Sequence, residues 1–194
     1  MHQGTPEQVA RLLLDDGADI GMASETIHEV EQLVTLPCYE WQHVLVMPAS
    51  HPLAAVERPT LEQLAEQPLV SYQSAFTGRR RIDHAFAQRR LHPTFVLEAI
   101  DSDVLKTYVK LGLGIGIVAE MAVRDDPPGG ELVSRPAGYL FGSNVTHVAF
   151  KRGAYLRHFV YSFAELLSDR LTRSLIMRTM SPPGPGARGD DYEL

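Results

Sequence analysis

The chain has 194 residues, of which 44% are apolar and 22% are charged, the balance of an ordinary soluble globular protein. This length suits one large domain or two small lobes with a real core. A formal net charge of −6 argues against a nucleic-acid-binding surface on these residues. The single cysteine, Cys38, cannot form an internal disulfide, which fits a reducing compartment. No secretion signal or bilayer-length apolar stretch is visible, so we expect a soluble, cytoplasmic protein.

The first elements are predicted from local signals. Thr5-Pro6-Glu7-Gln8 is a capping box with proline at the first helical position, and Gly17 is placed to end that helix. Asp19–Ala23 is typical of a short buried strand, and Ser24 lies just past its carboxyl end. Because a helix precedes the first strand, the chain looks like an α/β domain entered part-way through.

The middle of the chain alternates strands with short helices. Strands are expected at Leu33–Leu36 and His43–Met47, with Trp41 in a polar, turn-like segment between them. A second capping box, Thr60–Gln63, opens a short helix. Further expected elements are a strand at Leu69–Tyr72, a helix after Thr77, a strand at Thr94–Ala99 and a helix capped by Asp101.

The last part of the chain contains an exposed loop at Asp125–Gly130 and a strand at Val145–Phe150. A strongly periodic helix then carries one apolar face, made of Leu156, Phe159, Val160, Phe163, Leu166 and Leu167. Beyond Leu171 the chain becomes rich in proline and glycine, which predicts a disordered tail. The alternation of elements predicts a mainly parallel α/β fold in two lobes.

A glycine run matches a dinucleotide-binding fingerprint but not its context. Gly114-Ile115-Gly116-Ile117-Val118-Ala119 has the required spacing. The phosphate-binding mechanism needs a strand before the glycines and a helix after them. Here a helix comes first and a strand follows, so the glycines are expected to form a tight helix-to-strand turn.

Catalytic patterns are sparse, and we expect a protein that is not an enzyme. His28-Glu29 lacks the second histidine of a zincin, and the other histidines show no ligand spacing, so no metal is expected. Cys38 could be a nucleophile, although a small, partly buried hydrophobic residue is the favoured interpretation. The chain has no Gly-x-Ser-x-Gly elbow.

Binding candidates are better supported. Phe76-Thr77-Gly78-Arg79 leads from a strand into a helix, whose first N–H groups and positive dipole end can hold a small anion. Thr77 and Ser24 each have an alternative interpretation as helix N-caps. Trp41 can equally serve a core or lobe-packing role or contact a ligand. Arg79-Arg80-Arg81 is most simply a solvated helix face.

Five segments of the chain become informative together: His2–Pro6, Leu36–Trp41, His51–Ala54, Phe76–Arg79 and Asp103–Gly114. They resemble the effector-binding domain of LysR-type transcriptional regulators, in the branch that contains CysB and Cbl. The resemblance extends from about His2 to Leu171. The His-Pro-Leu-Ala and Gly-Leu-Gly-Ile-Gly segments are typical of the wider family. The Pro-Cys-Tyr-x-Trp and Phe-Thr-Gly-Arg segments indicate the sulfur-regulating branch.

The resemblance implies the fold of a type 2 periplasmic binding protein, with two α/β lobes, two crossing strands and a cleft between the lobes. In that branch the cleft takes sulfate, O-acetylserine or N-acetylserine, and the regulator controls genes of sulfur assimilation and cysteine biosynthesis. No cofactor is implied besides this small-molecule effector. The resemblance places effector contacts at Ser24, Trp41, Thr77 and Gly78. Ser24 keeps the hydroxyl of the family's threonine without its methyl group.

The resemblance also implies the domain layout. Lobe I is expected at 1–42 and 141–171, lobe II at 43–140, and the disordered tail at 172–194. Lobe I is expected to be incomplete at its N-terminus, since the family's first strand, first helix and Thr-x-Thr-Gln segment have no counterpart here. The family's winged helix-turn-helix is also missing, so DNA is expected to be contacted only through an N-terminal domain absent from these residues. A homo-oligomer formed through the effector domain is expected, and no membrane partner.

Two rival functions differ in class. A solute-binding transport component for sulfate-type ligands has the same fold, but it needs a secretion signal that the sequence does not display. A small-molecule enzyme using Cys38 is the weaker rival.

Overall fold

The computed structural model describes residues 1–127 and 129–181. The α-helices are α1 (Pro6–Leu14), α2 (Leu61–Ala65), α3 (Thr77–Gln88), α4 (Ser102–Lys110), α5 (Gly138–Phe141), α6 (His158–Leu167) and α7 (Arg173–Met180). The strands are β1 (Gly21–Ser24), β2 (Leu33–Pro48), β3 (Pro68–Tyr72), β4 (Thr94–Ala99), β5 (Ile115–Ala119), β6 (Leu132–Pro136) and β7 (Ser143–Lys151). Short 3₁₀ helices lie at Glu25–Glu29, Pro52–Ala55 and Glu120–Val123. Within the described part of the chain, no helix is long and apolar enough to cross a membrane.

The chain divides into two compact units, and two of its strands continue from one unit into the other. The first unit contains Met1–Glu40 and the residues from Val145 onward, and the second contains Trp41–Asn144. The predicted lobe boundaries differ from these by a few residues. Trp41 and Phe141, assigned to lobe I from the sequence, belong to the second unit, where both rings pack against His43.

The first unit is built on β1, β7 and the N-terminal half of β2. β1 pairs with β7 in antiparallel register, with Gly21 opposite Ala149 and Ser24 opposite Thr146. α6 and α7 cover a core that includes Leu36, Cys38, Val148, Phe150, Val160 and Ile176. α1 packs on a second cluster containing Ala10, Leu13, Ile27, Leu33 and Ala149.

The second unit mixes parallel and antiparallel pairs. β3 is parallel to both β4 and β5, whereas the C-terminal half of β2 is antiparallel to both β5 and β6. The prediction of a mainly parallel sheet is therefore wrong. Periodicity identifies strands, but it does not reveal that β2 enters this unit without a crossover helix and so runs against its neighbours.

β2 also corrects the predicted break between two short strands. Residues 33–48 form one strand, and Trp41 lies inside it rather than in a turn. Leu36 and Cys38 are buried while Pro37 is only half-buried, so the two-residue alternation continues through the proline.

The predicted disordered tail from residue 172 is wrong for its first part. Thr172 caps α7 by accepting a hydrogen bond from the Leu175 N–H, and Ile176 is fully buried in the core of the first unit. Ile176, the partly buried Leu175 and Met180, and the cap stabilise a helix that the composition did not predict. Residues 182–194 lie outside the described residues.

The glycine run forms the expected turn. α4 ends at Lys110, Gly112 adopts a φ of +79°, and β5 begins at Ile115. A Cβ on Gly114 would overlap the Pro68 carbonyl group, at 2.8 Å from its carbon atom. The glycines therefore serve the close approach of α4, β3 and β5, and the dinucleotide interpretation stays rejected.

Candidate functional site

The start of α3 in the second unit is the first part of the candidate site. Phe76 occupies the N-cap position and makes no side-chain capping hydrogen bond, so Thr77 is the first helical residue. The alternative interpretation of Thr77 as the N-cap is therefore wrong. The first turn of a twelve-residue helix thus begins without a side-chain cap, and its N–H groups and dipole are suited to an anion.

Gly78 allows two rings to approach this turn. A Cβ built on Gly78 would lie 3.0 Å from Nε2 of His43 and 3.0 Å from Cη2 of Trp41, which is tighter than nine in ten real Cβ contacts. Both rings therefore lie beside the first turn of α3. The structure thus brings Trp41 and Gly78 together, as the resemblance implies, and adds His43.

His43 is a buried, neutral imidazole. It has no exposed surface, and its ring meets Trp41 edge-on at a centroid distance of 5.1 Å and Phe141 at 5.7 Å. Neither Nδ1 nor Nε2 has a hydrogen-bond partner among the described residues. Burial, with a smaller contribution from the positive charge of Arg81, lowers the pKa of His43 to about 4. Such an orphaned buried polar group is rare in folded proteins.

Acid should therefore destabilise the chain through His43. Below pH 6.5 the unfolded chain binds a proton at this residue, and the folded chain does so only near pH 4. The contribution of His43 to the free energy of unfolding is thus fully present above about pH 6.5, and about 3 kcal/mol of it is lost as the pH drops to about 4. Urea unfolding at several pH values, compared between the chain and the His43→Gln variant, isolates this contribution. Identical pH dependence in both chains would contradict it.

Arg79 holds α3 on the sheet and is not part of a solvated face. Its side chain is 7% exposed; Nε donates to Asp83 at 2.8 Å, and a terminal nitrogen donates to Glu98 at 2.6 Å and to the Tyr72 carbonyl at 2.9 Å. The guanidinium also lies 3.6 Å over the centre of the Phe95 ring. Arg79 therefore joins α3 to β3 and β4, and it fixes the position of the first turn.

Ser24 lies in the first unit. It is the last residue of β1 and precedes a 3₁₀ helix, at its N-cap position, without a side-chain capping hydrogen bond. The strand is paired antiparallel with β7, which differs from the mainly parallel arrangement predicted from the sequence. The role of Ser24 in effector binding stays a prediction, as does that of Thr77, of which the structure describes the backbone alone.

His43 is the residue that the sequence reasoning missed, because it was weighed only as a zinc ligand. A usable signal was present: Trp41, His43, Leu45 and Met47 alternate along one strand, so all four share the face that meets the core. A histidine on such a face is buried, and a buried histidine needs a partner.

Cys38 lies among apolar side chains of the first unit. It is 4% exposed, and burial raises the pKa of its thiol. Both properties disfavour the reactive thiolate that a nucleophile requires. Among residues 1–127 and 129–181, no three histidine, cysteine or acidic side chains group as a metal site would require.

Known proteins similar to this chain fall in one family. The protein-family model described as the LysR substrate binding domain matches residues 1–172 of the chain. The chain is 50% identical over 192 residues to the HTH-type transcriptional regulator CysB of Burkholderia cenocepacia, which covers 99% of this chain and 59% of that protein. It is 44% identical over 176 residues to the regulator Cbl of Escherichia coli, which covers 91% of this chain and 55% of that protein. The chain thus spans less than two thirds of these curated relatives.

Solved structures give the same result for the fold. The cofactor-binding domain of the Cbl transcriptional regulator matches with a TM-score of 0.84 at 43% identity, covering 92% of this chain and 78% of that one. The regulatory domain of Synechocystis CcmR, solved with 2-PG, matches with a TM-score of 0.74 at 18% identity, covering 87% and 81%. The fold is that of LysR effector-binding domains, of the type 2 periplasmic-binding-protein class.

Proposed function

The chain belongs to the family of LysR substrate-binding domains, and we propose that it is the effector-sensing domain of a CysB-like regulator of sulfur assimilation and cysteine biosynthesis. The observation that carries this proposal is the 50% identity to CysB across 99% of the chain. Identity of 43% to SsuR and 44% to Cbl supports the same branch.

The proposed effector is sulfate, O-acetylserine or N-acetylserine. Each carries a negatively charged group that is small enough to bind at the first turn of a helix. The uncapped start of α3 offers N–H donors and a positive dipole end, and Trp41 provides an apolar wall beside it. A fully ionised, compact anion suits such a site because N–H groups and hydroxyls can hold it without a proton exchange of its own.

The proposed mechanism is a shift between conformations. An effector that binds one conformation of the domain more tightly than another changes their populations. In a regulator this shift alters the reach of attached DNA-binding domains, provided that the effector domains form a homo-oligomer. We propose that the regulator contacts DNA only through an N-terminal DNA-binding domain. We also propose that the effector-sensing domain catalyses no reaction and acts in the cytoplasm.

Isothermal titration of the purified chain with each of the three compounds tests the proposal. At least one is expected to release or absorb heat with a saturating 1:1 isotherm. Acetate and serine serve as controls, since each carries only part of the acetylserine structure. No heat from any of the three compounds would contradict the proposal.

A further inference from the structure

The unused polar atoms of His43 point to a second feature of the site. The imidazole is wholly buried, and its two nitrogens have no hydrogen-bond partners in the described part of the chain. Its Nε2 lies 3.0 Å from the position that a Cβ on Gly78 would occupy. A neutral imidazole carries one N–H donor and one acceptor, and leaving both unsatisfied is costly. We expect a bound molecule to provide the partners of these two nitrogens.

An anion at the first turn of α3 would supply the missing partner. Gly78 is the second residue of that helix, so Nε2 lies beside its first turn, where the N–H groups of a helix have no i−4 carbonyl partner. A negative charge close to a buried imidazole favours its protonated form, and both ring nitrogens of that form are donors. The energy of the charge pair is large here because water is excluded.

We propose that His43 takes up a proton when an anionic effector binds at the start of α3, so that effector affinity rises as the pH falls. This inference rests on the proposed function, since it concerns the same site. The reaction balances: one proton moves from solvent to His43 for each anion bound, and no covalent bond to the effector changes.

The surroundings of His43 leave the anion as the group that stabilises its positive charge. Its own strand contributes the Trp41 ring, and α5 contributes the Phe141 ring. From α3 come the Gly78 backbone and the positive charge of Arg81, which opposes protonation. Within the described part of the chain, Arg81 is the charged group that shifts the pKa of His43, and no carboxylate offsets it. Without an anion, the site therefore disfavours the imidazolium.

Sulfate is the probe, because it keeps both negative charges throughout the pH range used. We expect its affinity for the intact chain to increase as the pH is lowered from 8 to 5, by up to about tenfold per pH unit. The His43→Gln variant, which keeps a polar side chain but cannot titrate, is expected to bind sulfate with a flat pH profile. Circular dichroism and thermal unfolding check that the variant is folded.

A second measurement needs no variant. Titrations of the intact chain at one pH, in two buffers of different ionisation enthalpy, give the number of protons taken up per sulfate, and we expect a value approaching one. Sulfate binding with a flat pH profile and no proton uptake would overturn this inference and leave the proposed function intact. The absence of sulfate and acetylserine binding at every pH would overturn both.

Discussion

Replacing Gly114 by alanine is expected to lower the free energy of unfolding by about 3 kcal/mol. The new methyl group would overlap the backbone carbonyl of Pro68, at 2.8 Å from its carbon atom, and not the end of a flexible side chain. Because β3 begins at Pro68 and pairs with β5, which begins at Ile115, the overlap can be relieved only by moving a strand.

Gly112→Ala is the matched control two residues earlier. Gly112 has a φ of +79°, and an added Cβ would meet no atom within 4 Å, so this variant carries only the conformational strain of about 1 kcal/mol. Urea unfolding of both variants measures the difference. Equal losses at the two positions would contradict a close-approach requirement at Gly114.

Replacing Arg79 by methionine is expected to cost about 2 kcal/mol of stability. The change removes the hydrogen bonds to Asp83, Glu98 and the Tyr72 carbonyl, together with the stacking over Phe95. The two carboxylates are 45% and 38% exposed and can regain water, so the loss stays below that of a fully buried ion pair. Lysine at this position cannot reproduce the fork that reaches three acceptors.

Arg80→Met provides the control, since the neighbouring side chain is exposed on the same helix. Its stability is expected to change by less than about 0.5 kcal/mol. If Arg79→Met proved equally neutral in urea unfolding, the network that fixes the first turn of α3 would not contribute to stability.

The elements most accessible from sequence were those determined by local chemistry. The capping boxes at Thr5 and Thr60 form as predicted, with the glutamine side chain of each returning to the capping residue's N–H. Asp101 caps α4 through the N–H groups of Asp103 and Val104. These signals lie within four residues of each other, so a sequence carries them whole.

Long-range pairing and burial could not be predicted in the same way. β1 pairs with β7 across more than a hundred residues, and nothing local specifies that partner or its direction. The apolar stripe of α6 shows the same limit: Val160 is fully buried, while Phe159 is 55% and Phe163 46% exposed. Periodicity finds apolar positions on a helix, but the surrounding fold decides which of them are covered.

The candidate site combines both cases. The helix start at Phe76–Gly78 was predicted from a strand, a hydroxyl and a glycine in succession, and its position beside Trp41 was implied by the family resemblance. The burial of Arg79 and the neighbourhood of His43 depend on side chains from other strands and helices. Charged and titratable residues are usually exposed, so their burial is the property that sequence patterns predict least well.

The emission of Trp41 tests the central claim, that effector binds at the start of α3, most directly. Trp41 is the only tryptophan of the chain, and its ring lies beside Gly78 in the first turn of α3. We predict that sulfate or an acetylserine changes its fluorescence in a saturable manner, with the same Kd as the calorimetric titration. Gly78→Val places a side chain against the Trp41 and His43 rings, and it is predicted to weaken the affinity measured by fluorescence and by calorimetry by at least about tenfold. Calorimetric binding that leaves Trp41 emission unchanged and is unaffected by Gly78→Val would contradict the claim.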